Sequence, residues 1–153
     1  GFEFMAGLHS NINQYTKSGS APIKAAGRGE NTIGIVFMHD AVAQAVSGFP
    51  INVVAPCEGT GYEIGSMSII DGARNMESAQ AFYDWALSAE AQNLALQVNA
   101  FQVPSNVNAE TSESAPDMST ITLIDYDFRT YGSSDTRQRL LKRWDDEVSV
   151  LPQ

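Results

Sequence analysis

Residues 32–63 read TIGIVFMHDAVAQAVSGFPINVVAPCEGTGYE. An apolar run at residues 33–37 stops at His39 and Asp40, and a second run at residues 51–55 stops at Pro56. The polar residues Cys57, Glu58, Thr60, Tyr62 and Glu63 follow, interleaved with Gly59 and Gly61. A short helical pattern separates the two runs. The spacing therefore predicts strand, helix and strand, with each strand ending in a polar cluster. The first run has no polar alternation, which suits a central strand covered on both faces. In open α/β sheets, ligands bind outside the carboxyl ends of the strands. The two clusters are thus expected to form walls of one ligand site.

Upstream, Thr16, Lys17, Ser18, Gly19 and Ser20 form a polar loop. A short helix is expected from Ala21 to about Gly27, with Ser20 as its N-cap and Pro22 in its first turn, where a missing N–H is tolerated. A Ser/Gly loop entering a helix presents free N–H groups and suits an anion. The serines have a plainer reading, as caps alone. Further upstream, Phe4, Leu8, Ile12 and Tyr15 recur at helical spacing. The chain opens on Gly1, already inside that pattern, and this reads as a piece of something longer. Within the central stretch, Asp40 is expected to cap a helix at residues 41–46. Gly48 ends that helix, and Pro50 blocks its continuation.

Downstream, residues 64–70 predict a third apolar strand, and Asp71 and Gly72 predict a turn. A long helical pattern starts at Asn75 or Ser78, breaks at Ser88 and restarts at Glu90. Phe82, Trp85 and Leu94 are expected in its core-facing stripe. Residues 105–120 are rich in Asn, Ser, Glu and Pro and read as a long surface excursion. Ser134 is expected to cap a final helix at residues 135–148, with Leu140, Leu141, Trp144 and Val148 turned inward. Strands alternate with helices, so the class is α/β. The strands are too few for a complete doubly wound domain.

Composition narrows the function. The 153 residues carry 43% hydrophobic and 18% charged side chains, ordinary values for a globular domain. The net charge of -9 opposes binding to nucleic acid or an anionic membrane. A single cysteine, Cys57, excludes an internal disulfide and a Cys-rich metal cage. Two histidines, in no HxH or HExxH spacing, give no metal motif and no triad order. His39 with Glu63 is the pair a metal-dependent enzyme would use. The Gly59–Gly61 turn precedes a strand instead of a helix, which excludes a dinucleotide fingerprint. What remains is a polar clamp. Asp40, Glu58 and Glu63 are acceptors that suit hydroxyls. His39, Thr60, Ser18 and Ser20, with loop N–H groups, suit anionic oxygens. In the plainer reading, Asp40 is only a cap and His39 a surface turn residue.

Three stretches then carry a resemblance: SGSAPIKAAGRGE at 18–30, GIVFMHD at 34–40, and VVAPCEGTGYEIGSMSIIDGARNMESAQAFYDWALSAEAQ at 53–92. Together they resemble the C-terminal half of a bacterial ABC-transporter solute-binding protein, in the ferric-binding-like cluster of the type II periplasmic binding fold. The resemblance implies an incomplete two-lobed α/β fold. Residues 1–58 would belong to the C-terminal lobe. Residues 59–104 would cross the hinge into the N-terminal lobe, and residues 105–153 would return. It implies a binding protein with no catalytic residue, no cofactor and no resident metal. Its partners would be a small-molecule ligand, an ABC permease and the N-terminal lobe of the same protein, in the periplasm. Ferric-binding members place two adjacent tyrosines where this chain has His39 and Asp40. His39, Asp40 and the EGTGYE run at 58–63 look instead like the hexose-phosphate branch, with His39, Asp40 and Glu63 on the ligand. Ferric ion or an organophosphonate is the alternative ligand. Exposed apolar faces in the absence of the other lobe imply self-association.

Overall fold

The computed structural model describes residues 1–152. Seven helices are present among them: α1 (Phe2–His9), α2 (Ala21–Gly27), α3 (Met38–Val46), α4 (Met76–Ala86), α5 (Ala89–Gln97), α6 (Phe128–Tyr131) and α7 (Ser134–Glu147). The chain forms two compact units. One comprises residues 18–123, and the other joins residues 1–17 to residues 124–152.

In the larger unit, α2 and α3 pack together and bury Ile23, Ala41 and Val42, and Phe101 is buried as well. Both helices end in the same way. The Gly29 and Glu30 amides donate to the Ala26 and Ala25 carbonyls at 2.9 Å each, closing α2. The Gly48 and Phe49 amides donate to Ala45 and Gln44 at 3.0 and 3.2 Å, closing α3. Gly29 and Gly48 have φ of 76° and 89°, the left-handed conformation this C-terminal motif requires. In α5 the same place is held by Asn99, with φ 54°, and the Ala100 amide donates to Ala95 at 3.0 Å.

Helix starts depart from expectation in instructive ways. Helix α3 begins at Met38 and not at Ala41, so Asp40 is its third residue and not its cap. The Asp40 amide already donates to the Phe37 carbonyl at 3.1 Å. Ser20 does sit at the N-cap of α2, but its φ of -96° and ψ of -6° are helical, and its side chain makes no capping bond. A capping hydroxyl needs the extended backbone that Ser88 and Ser133 adopt, with ψ of 154° and 142°. Ser88 accepts from the Ala91 amide at 3.2 Å and donates to the Trp85 carbonyl at 2.6 Å, which splits the long pattern into α4 and α5. Ser133, not Ser134, caps the last helix, accepting from Thr136 at 3.3 Å.

The three apolar runs form no strand ladder among the described residues. The pairing present is an isolated parallel bridge between Thr60 and Leu123, with the Thr60 amide donating to Thr122 at 2.9 Å. Yet exposure along the first two runs alternates residue by residue, as a strand's two faces do. Ile33, Ile35 and Phe37 are exposed, whereas Gly34 and Val36 are partly covered. Val54 is exposed between Val53 and Ala55, which are partly covered. The expectation that residues 33–37 are covered on both faces is therefore corrected: α2 covers one, and none of the described residues covers the other. The same holds for the α4–α5 stripe, where Phe82, Trp85 and Leu94 are exposed instead of buried. Phe82 and Trp85 meet at a tilt, ring centroids 5.5 Å apart and planes 42° from parallel.

Residues 105–120 form the expected irregular excursion, pinned to α5. Gln92 donates to Ser105 and accepts from the Asn106 amide, both at 2.9 Å, and Asn93 accepts from the Glu110 amide at 2.8 Å.

The smaller unit packs α1 on α7 and α6 on α7. Val148 is fully buried there, and Trp144 and Leu140 are partly covered, while Leu141 is exposed, contrary to expectation. His9 is buried and holds two ends of this unit. Its Nε2 lies 3.0 Å from the Leu151 carbonyl and its Nδ1 lies 3.1 Å from the Tyr15 hydroxyl. A carbonyl only accepts, so Nε2 carries the proton and, in the neutral ring, Nδ1 accepts from Tyr15. Tyr15 in turn meets the Trp144 ring edge-on at 5.0 Å.

Candidate ligand-binding site

The site grows out of the contact between α2 and residues 32–37. Gly34 lies against the start of α2: a β-carbon there would sit 2.8 Å from the Pro22 carbonyl oxygen. This close approach holds the run against the helix and brings its end to the Ser18–Ser20 loop. The ring of Phe37 lies against Gly19, 3.7 Å from where a β-carbon would stand. The same ring stacks on His39, with centroids 5.5 Å apart and planes 15° from parallel. Phe37 thus links the serine loop to the first turn of α3.

At that first turn the N-cap is Phe37, which has no capping side chain. The amides of Met38 and His39 find no acceptor among the described residues. They point, with the helix dipole, out of the N-terminus. Asp40 stands in the same turn, its Oδ1 3.9 Å from His39 Nε2, and both side chains are partly covered. The turn therefore offers donors and one acceptor side by side.

An open cavity of about 1610 Å³ lies beside this turn, within the larger unit. His39, Thr60, Tyr62 and Glu63 line it. Of the six residues singled out in the sequence, the structure brings His39, Thr60 and Glu63 to this opening. Asp40, Ser18 and Ser20 are not in its lining. Thr60 is fixed by its bridge to Leu123 and its hydroxyl donates to the Gly61 carbonyl at 3.3 Å. Glu63 is exposed and makes no hydrogen bond or ion pair with the described chain. Next to Thr60, the Cys57 thiol donates to Glu58 at 3.3 Å. The Glu58 amide, then this thiol, hold that carboxyl below the usual carboxylate range. No three His, Cys, Asp or Glu side chains converge as metal ligands among the described residues.

Sequence reasoning missed Phe37 as a platform and the bare amides of Met38 and His39. The signal was present: Met38, Ala41, Val42 and Ala45 follow helical spacing. Placing the cap at Asp40 hid it.

The fold and site can now be set beside known proteins. Residues 2–97 match the bacterial extracellular solute-binding protein family. The chain belongs to that family. It is 48% identical to the periplasmic binding protein AfuA from Actinobacillus pleuropneumoniae, solved with exogenous fructose-6-phosphate bound, with a TM-score of 0.91 over 98% of this chain and 47% of that one. It is 38% identical to the periplasmic binding protein P5PA, with a TM-score of 0.87 over 97% of this chain and 47% of that one. An uncharacterized protein of Haemophilus influenzae is 47% identical over 150 residues, 97% of this chain and 43% of its own length. The chain thus spans about half the length of these relatives. It carries part of the α/β type II periplasmic-binding-protein fold. No helix among the described residues is long and apolar enough to cross a membrane.

Proposed function

We propose that this chain is part of the solute-binding component of a bacterial ABC importer, and that it supplies one wall of a site for a small phosphorylated sugar in the periplasm. The observation that carries this is the meeting of His39, Thr60 and Glu63 at one opening beside the uncapped start of α3. A phosphoryl group needs donors, and the Met38 and His39 amides, the His39 ring and the Thr60 hydroxyl are donors. A sugar ring needs acceptors for its hydroxyls, and Glu63 and Asp40 are acceptors. Ser18 and Ser20, held near by the Gly19–Phe37 contact, extend the donor side. The likeness to a protein solved with fructose-6-phosphate supports the same ligand class. In this reading residues 1–58 belong to the C-terminal lobe, residues 59–104 cross to the N-terminal lobe, and residues 105–153 return. The protein performs no chemistry: closure of the lobes on the ligand is the signal to the permease.

Calorimetric titration of the two-lobed protein that contains this chain tests the reading. Saturable heat with fructose 6-phosphate or glucose 6-phosphate, absent with the unphosphorylated sugars, is the expected result. Silence with both esters beside a clear response to ferric ion or to an organophosphonate would replace it with the other ligand class. Tight stoichiometric metal in the purified protein would favour metal-dependent chemistry at His39 and Glu63.

A further inference from the structure

We propose that Phe37 is a positioning residue of the ligand site: its ring clamps His39 to the loop at residues 18–20, so that this loop governs affinity for a phosphorylated ligand from outside the opening. The inference rests on the phosphorylated-sugar function proposed for this chain and adds a residue to it. Phe37 closes the first apolar run, and the helix that follows fixes its backbone. Its φ of -64° and ψ of 138° are extended, and its carbonyl accepts from the Asp40 and Ala41 amides at 3.1 and 3.3 Å. The loop is fixed in turn on α2, where the Ser20 carbonyl accepts from the Lys24 amide at 3.3 Å. The close approach of Gly34 to Pro22 joins that helix to the run. The Phe37 ring stands between these two fixed parts. Its Cδ2 and Cε2 atoms lie against Gly19, and it stacks on the His39 ring at 5.5 Å, with planes 15° from parallel. A second neighbour steadies the same imidazole, since Asp40 Oδ1 lies 3.9 Å from His39 Nε2. A ring held by a stacked face and a charged neighbour is oriented before a ligand arrives, and binding then orders little more. Phe37 and His39 line the opening, whereas Ser18, Gly19 and Ser20 do not. The loop therefore acts on the opening through the Phe37 ring. Gly19 is the point of contact: a β-carbon there would stand 3.7 Å from two ring atoms, an ordinary contact, and a branched side chain would displace the ring.

The test is calorimetric titration of the two-lobed protein that contains this chain with fructose 6-phosphate. Phe37→Leu, which keeps an apolar side chain but loses the flat face, is expected to weaken binding by about 10- to 100-fold, the scale of a small misplacement at a site. Phe37→Tyr keeps the face and restores the affinity. Gly19→Ala leaves binding unchanged, while Gly19→Val weakens it as Phe37→Leu does. The decisive readout is a double-mutant cycle. In the His39→Ala protein, Gly19→Val causes no further loss, because the ring it displaces no longer has a donor to hold. Gly19 lies in an exposed turn, so this cycle reads the coupling even if Phe37→Leu fails to fold. Circular dichroism of each variant checks the fold. Two outcomes overturn the proposal: parent affinity in both Phe37→Leu and Gly19→Val, or additive losses in the cycle, which would mean that the loop does not act through His39. In either case the parent still binds the ester, and the ligand assignment stands. A parent protein silent to fructose 6-phosphate and glucose 6-phosphate overturns the ligand assignment, and the positioning role with it.

Discussion

Gly34 lies directly against Pro22, so close that a β-carbon at residue 34 would stand 2.8 Å from the Pro22 carbonyl oxygen and 3.2 Å from the Ile23 amide nitrogen. Both obstacles are backbone, and backbone of a helix cannot yield as a flexible side chain does. Gly34→Ala is therefore expected to push residues 32–37 away from α2 and to destabilise the larger unit by about 1–3 kcal/mol, the usual cost of overpacking. Thermal melting checks this. A melting temperature equal to that of the parent chain would show that the contact can open without cost.

The buried His9 should matter to the smaller unit alone. His9→Ala leaves the Tyr15 hydroxyl and the Leu151 carbonyl without their partner. The loss is about 1–3 kcal/mol for groups left unsatisfied. Amide exchange is expected to rise in α1 and α7 while α2 and α3 keep their protection. Uniform loosening of the whole chain would count against two separate units.

Ser88 both accepts from Ala91 and donates to Trp85, so it defines the break between α4 and α5. Ser88→Ala is expected to cost about 1 kcal/mol, the typical value of an N-cap. The first turn of α5 should fray, with faster exchange at Ala91 and Gln92. Ser88→Asp, which retains a cap acceptor, should restore most of the loss.

If Glu63 accepts from sugar hydroxyls, Glu63→Gln removes a charged acceptor worth about 1.5–3 kcal/mol. That corresponds to roughly 10–100-fold weaker binding of a hexose phosphate by the two-lobed protein. His39→Ala removes a donor to the phosphoryl group and should weaken inorganic phosphate and hexose phosphate alike. Glu63→Gln should spare inorganic phosphate. Equal effects of both substitutions on both ligands would dismantle this division of roles.

The chain by itself is expected to self-associate. Ile33, Ile35, Val54, Ile64 and Ile70 are all largely exposed, and water disfavours so much bare apolar surface. Light scattering should report a mass above that of one chain, rising with concentration and falling when Ile35 and Val54 become lysine. A monodisperse monomer at every concentration would refute it.

Much of the architecture was legible because its signals are local. The Gly48 stop, the Ser88 break and the irregular residues 105–120 follow from backbone preference and composition. The start of α3 was misread because Asp is a common cap and stands beside a histidine; the helical spacing of Met38 and Val42 was the better guide. The four-residue α6, capped by Asp127 accepting from the Thr130 amide at 3.0 Å, lies in a stretch read as mixed apolar and acidic. One turn is too short to leave a periodic signal. Phe82, Trp85 and Leu94 have the spacing of a buried stripe, but spacing says only that a face is apolar.

The candidate site divides in the same way. The residue types and the order in which they follow the apolar runs were sequence information: His39 and Asp40 after one run, Thr60 and Glu63 after the next. Which of them share an opening was not, because that depends on long-range placement. His39 reaches the cavity through a helix start stacked on Phe37, and Thr60 through a bridge to Leu123, 63 residues further along the chain. The sequence alone determined the Gly48 stop, the Ser88 break and the α/β pattern, since each depends on a few neighbouring residues. Only the tertiary structure decided that one face of the runs at 33–37 and 51–55 lies bare and that the runs form no strand ladder among the described residues, because burial and pairing are properties of what packs alongside.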